Sequence, residues 1–142
     1  MRRARETAAP LAARLDHRID RVPRVAEFDH ASDVYIPLEQ LKAEDPAAWR
    51  AYVAGGYGEG LDFDAFHTRA IEALEEIIVR HAGQRVAVVC HGGIVNVFSA
   101  HVLGLPPRLF FEPDYASIHR YVAARSGERS IFCLNERARD LA

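Results

Sequence analysis

Lysine is nearly missing from this chain: among 18 basic residues Lys42 is the only one, and the rest are arginines. Those arginines are scattered rather than interleaved with aromatics, and the formal charge is -2, so the electrostatic footprint of a nucleic-acid binder is absent. Cysteine is equally scarce. Cys90 and Cys133 each sit in an apolar run, where a thiol acts as a small buried hydrophobe, and two such residues make no disulfide framework. No apolar stretch approaches the length of a membrane span, and the arginine-rich start lacks the apolar centre of a signal peptide. The expected location is the cytoplasm, with no membrane partner.

Several chemistries fall to the same inspection. No lysine follows a glycine loop in the Walker manner, and no Gly-x-Ser-x-Gly elbow occurs. Gly56-x-Gly58-x-Gly60 follows no strand and has the wrong spacing for a dinucleotide site. The seven histidines, at 17, 30, 67, 81, 91, 101 and 119, show none of the spacings of a metal site. A cysteine-phosphatase loop starting at Cys90 would need arginine where Asn96 stands.

What is present is a core and one conspicuous junction. At 142 residues and 49% hydrophobic, the chain has apolar content for one domain, residues 1–142, without internal repeats. In residues 85–96, Val86, Ala87, Val88 and Val89 run without polar alternation, which predicts a strand buried on both faces, as in a mostly parallel sheet. The run stops at His91, Gly92 and Gly93, where the glycines predict a tight turn into a helix whose first amides face an anion beside His91. Carboxyl ends of central strands are where open α/β sheets hold ligands. A histidine that merely caps the helix is the plainer reading of the same residues.

Around this junction, Ala4, Ala8, Leu11, Ala12 and Leu15 form one stripe of a helix over residues 2–15, with Pro10 expected to kink it or confine it to one side. That helix has no Ser or Asp cap and no strand before it, so the chain reads as one that begins in mid-motif. Residues 22–28 read as a short edge strand containing Pro23 and ending near Glu27. Residues 31–62 read as an excursion with short helices, carrying Tyr35, Trp49, Tyr52 and Tyr57 and the glycine-rich run 55–60. The strongest helix spans residues 63–81, with Asp62 and Asp64 supplying caps or dipole complement at its start and Gly83 closing it. A further helix is expected to end at Gly104, and residues 118–123 and 130–134 to pair as a hairpin about Gly127.

Arg3-Ala4-x-x-Thr7-Ala8, Glu27 in Val-Ala-Glu-Phe-Asp, His91-Gly92-Gly93 and the closing Leu134-Asn135-Glu136 occur in the order of the histidine phosphatase superfamily, the phosphoglycerate-mutase-like fold, which the chain resembles over most of its length. The resemblance implies a three-layer α/β/α domain with a mostly parallel sheet. It implies hydrolysis of a phosphorylated small molecule through a phosphohistidine, with no cofactor and no metal. Arg3 resembles an arginine of the phosphate pocket, His91 and Gly92 the pocket histidine and its neighbour, and Glu27 the acid that protonates the leaving alcohol. Solvated side chains are the alternative readings of Arg3 and Glu27. The family's first strand, ending in Arg-His-Gly and carrying the nucleophilic histidine beside residues 85–90, has no counterpart in these residues. The chain alone is therefore expected to be inactive, with residues 85–90 open to self-association. A phosphatase is preferred to a mutase-type phosphotransferase, because the 31–62 excursion is short and no tail follows to form a lid; a non-catalytic phosphate-binding or interaction module is the other alternative.

Overall fold

The computed structural model describes residues 1–28, 36, 38–53 and 62–138. Tyr35, the Tyr52 side chain, Tyr57 and the glycine run 55–60 lie outside the described residues. Helix α1 spans Arg2–Leu15, α2 Leu38–Glu44, α3 Pro46–Val53, α4 Phe63–Arg80 and α5 Gly92–Val102; strands β1, Ile118–Ala123, and β2, Arg129–Glu136, follow.

The core is α4 against α5. Asp62 starts α4 by accepting from the amide of Ala65 at 2.9 Å, and Phe66, Ala70, Ala73 and Leu74 recur at helical spacing as its buried stripe. In α5, Gly93, Ile94 and residues 96–100 are all buried, so little of this helix faces solvent. Phe66, Ala70, Leu74, Ile94, Val97 and Phe98 form one cluster. The hairpin closes over α5: Tyr121 meets Phe98 edge-on at 4.9 Å, and its hydroxyl lies 2.7 Å from Ser99 Oγ. Arg129 ties β2 to α4 through both oxygens of Glu75, and its Nη1 donates to the carbonyls of Gly127 and Glu128 in the turn. Gly127 there has φ 113, which only glycine adopts at little cost.

Three expectations change. Residues 22–28 are not a strand: Pro23–Val25 form a 3₁₀ turn, with Val25 and Ala26 amides donating to Val22 and Pro23 carbonyls. Proline has no ladder donor and its φ suits a turn. Pro10 does not confine α1 to one side of it: the helix runs through residue 10 and buries none of its residues.

The largest change concerns the sheet. Among the described residues the only ladder is antiparallel, β1 on β2, with Ile118 opposite Glu136 and Ala123 opposite Arg129. Residues 85–90 join no ladder, and Val86 and Val88 are 46% and 39% exposed rather than buried. A strand, unlike a helix, takes its hydrogen bonds from neighbours, so apolar sequence does not by itself make one.

Candidate active site

Residues 85–92 form one wall of an open cleft of about 2190 Å³, and residues 108–125, including β1, form another. Arg3 from α1, Glu27 from the segment after the 3₁₀ turn, and His91 and Gly92 from the start of α5 all line it. Four residues singled out from sequence thus reach one cavity from three separate parts of the chain.

His91 is the N-cap of α5, in extended backbone, with its carbonyl accepting from Val95. The anion beside this helix start is one of the protein's own: Glu27 Oε2 accepts from the amide of Gly93 at 2.8 Å, and Oε1 from the amide of Phe28 at 3.0 Å. Glu27 is only 7% exposed, so the solvated-carboxylate reading is wrong for it. An ionised carboxylate is acceptor-only and suits two N–H donors at a helix N-terminus.

The glycine pair is explained differently from expectation. Neither Gly92 nor Gly93 has positive φ, so the turn does not require them. A Cβ on Gly93 would collide with Glu27 Oε1 and lie 2.8 Å from its Cδ, whereas one on Gly92 would make ordinary contact with Pro113 at 3.5 Å. Gly93 is glycine because a carboxylate 66 residues away rests against its backbone.

Asn96 holds the far wall. Its Nδ2 donates to the carbonyls of Gly92 and Phe111, and its Oδ1 accepts from the amides of Phe110 and Phe111. The residue in the arginine position of a cysteine-phosphatase loop is a loop anchor. Burial first, and then the negative charge of Glu27, push the Cys90 thiol up to about 12, so it stays protonated and is no nucleophile. Beyond Phe111, the Asn135 amide donates to Nδ1 of His119, whose Nε2 faces Ser117 Oγ at 3.0 Å; burial lowers the His119 pKa. Asn135 also spans Asp114, accepting from its amide and donating to Oδ2.

Arg69, Asn96 and His119 were not singled out from sequence. Arg69 carried a signal, being a charged residue one turn from Phe66 beside the apolar stripe of α4. Among the described residues no group of three or more His, Cys, Asp or Glu is placed to hold a metal ion, and no helix is long and apolar enough to cross a membrane.

The family profile described as "Histidine phosphatase superfamily (branch 1)" matches residues 1–136. The "Metal-independent phosphoserine phosphatase" of Arabidopsis thaliana is 30% identical over 102 residues, covering 68% of this chain and 43% of its own length. The match thus spans less than half of that relative. Among solved structures, Bacillus stearothermophilus YhfR aligns with a TM-score of 0.74 at 21% identity, covering 96% of this chain and 70% of that one.

Proposed function

Because the chain belongs to the histidine phosphatase superfamily, we propose that its cleft is the phosphate-binding and proton-transfer part of a phosphomonoesterase site. The observation that carries this is that Arg3, Glu27, His91 and Gly92, from three parts of the chain, all line one broad cleft. A transferring phosphoryl group spreads negative charge over its equatorial oxygens, so fixed donors supply most of the catalysis. Arg3 offers a planar fork for two oxygens, and His91 offers a ring N–H donor beside it.

The nucleophile is a histidine on a further strand lying in the cleft between residues 85–90, which join no ladder, and β1, which among the described residues pairs only with β2. That strand completes a three-layer, mostly parallel arrangement. Its imidazole nitrogen attacks phosphorus, the P–O bond to the alcohol breaks, and Glu27, having taken up a proton, gives it to the leaving oxygen. Glu27 then accepts a proton from water as the water oxygen attacks phosphorus. The P–N bond breaks, releasing phosphate and the free histidine. Metal is not required in this scheme, in keeping with the name of the plant relative, and a phosphorylated small molecule in the cytoplasm is the substrate class.

The same relative favours a phosphatase over a mutase. Without the strand the cleft is a weak phosphate binder, and exposed Val86 and Val88 make self-association through residues 85–90 the expected side reaction. The test is direct. The 142-residue chain should release no phosphate from an aryl phosphate, and a strand ending in Arg-His-Gly supplied ahead of residue 1 should restore release that resists a chelator and is lost in His91→Ala. Turnover by the chain alone, abolished by His91→Ala, would contradict the missing-nucleophile reading. Absence of any His91 chemical-shift change with phosphate up to the millimolar range, a Kd weaker than about 1 mM, would contradict the pocket itself.

A further inference from the structure

Glu27 has no helix or strand of its own to hold it. It follows the 3₁₀ turn Pro23–Val25, and what fixes that turn lies on α4. Arg69 Nη1 donates to the carbonyl of Arg24 at 2.6 Å, three residues before Glu27. The same guanidinium lies over the ring of Phe66 at 5.1 Å, and Phe66 meets Phe28, the residue after Glu27, edge-on at 5.7 Å. One arginine and the ring beneath it therefore grip the chain on both sides of the carboxylate.

We infer that Arg69 is the positioning residue for Glu27, aiming its carboxylate at the start of α5 and adding a fixed positive charge that favours its ionised form. This rests on the reading of Glu27 as the group that moves the proton. The Cys90 thiol is neutral, and the Gly93 and Phe28 amides are dipoles only. Arg24, on the same segment, is engaged at the surface by Glu76. His91 and Arg3 line the cleft, where a phosphoryl group is expected to engage them. Arg69 does not line the cleft, so a phosphoryl group bound there would not engage its charge. Burial disfavours the charged form of Arg69, while the negative charge of Glu27 supports it. A fork that binds a carbonyl and stacks on a ring is a task for arginine rather than lysine.

The experiment uses the 142-residue chain with carbon-13 in its glutamate carboxyls, the Glu27 signal being identified as the one missing from Glu27→Gln. In Arg69→Met the Glu27 carboxyl should bind its proton about tenfold more tightly or better, and the Gly93 amide proton should lose the shift of a hydrogen bond to a carboxylate. Arg69→Lys should restore most of the titration midpoint. Arg69→Gln, which keeps a donor for the Arg24 carbonyl without the charge, should resemble Arg69→Met in midpoint and serves if the methionine variant does not fold. An unchanged Glu27 midpoint in a folded Arg69→Met or Arg69→Gln protein overturns the inference, since a merely structural arginine would leave it unmoved. The titration needs neither phosphate nor turnover, so this coupling can fail while the phosphate site stands, and the reverse.

Discussion

Helix α5 and the segment that leads into it, residues 85–90, are consecutive in the chain, similarly apolar, and opposite in circumstance. In α5, Ile94, Val97 and Ala100 are at most 1% exposed, while Val86 and Val88, a few residues earlier, are 46% and 39% exposed. The difference lies in what each conformation can satisfy alone. A helix closes its own backbone hydrogen bonds and needs neighbours only for its side chains, and α4 and the hairpin provide them. An extended segment needs a neighbour for its backbone as well. The same contrast separates α4, with its four buried residues, from α1, with none. The chain thus has a finished half and a half whose apolar surface faces the cleft.

The largest effect should come from cutting into the finished half. Phe98→Ala removes a ring 5% exposed and packed on Tyr121, and should cost about 3–5 kcal/mol in urea unfolding, whereas Val88→Ala should stay within about 0.5 kcal/mol. Equal costs would erase the distinction between the two segments. Next comes the point where the halves meet. Gly93→Ala forces a methyl group into the Glu27 carboxylate and should cost about 1–3 kcal/mol, while Gly92→Ala, with room beside Pro113, should cost less than about 1 kcal/mol. A neutral Gly93→Ala would mean that the carboxylate does not rest there.

A smaller effect is expected from pH. Burial lowers the folded-state pKa of His119 below its ordinary 6.5, and the ring accepts from the Asn135 amide, so the neutral form is the folded one. The unfolded chain then binds more protons between the folded and the unfolded values. Stability is fully present above about pH 6.5 and falls as the pH drops through that window toward the folded value. His67, lowered by burial and then by His101, acts with the same sign. His119→Phe should therefore reduce, without abolishing, the loss of urea midpoint between pH 7.5 and pH 5; an unaltered pH dependence would mean that His119 titrates as it does in the unfolded chain. Smallest of all is Glu6→Gln, which removes the exposed Arg2–Glu6 pair of α1 and should change stability by no more than about 0.5 kcal/mol.

The pattern of success from sequence follows the same division. Helices α4 and α5 and the hairpin were legible, because Asp62, the 3.6-residue stripe and the turn at Gly127 are local signals for locally closed structures. That Arg3, Glu27, His91 and Gly92 line one broad cleft could be anticipated only from the family's motif order, since nothing local links residue 3 to residue 91. What was misread depended on distant partners. The 3₁₀ turn at Pro23 looked like a strand because the bond from Arg69 that fixes it comes from 45 residues away. Gly93 looked like a turn glycine because its constraint is Glu27. Residues 86–89 have the composition of a buried strand, and composition cannot state whether a neighbour is there to pair.

The measurement that bears most directly on this account is amide hydrogen exchange in a sample of the 142-residue chain demonstrated to be monomeric. The amides of residues 86–89 should exchange within the fastest class, and those of Val97 to Ala100 should be protected near the limit set by global unfolding. Strong protection of residues 86–89 in that monomer would contradict the account, because it would mean that another segment already fills the place proposed for the strand that carries the nucleophile.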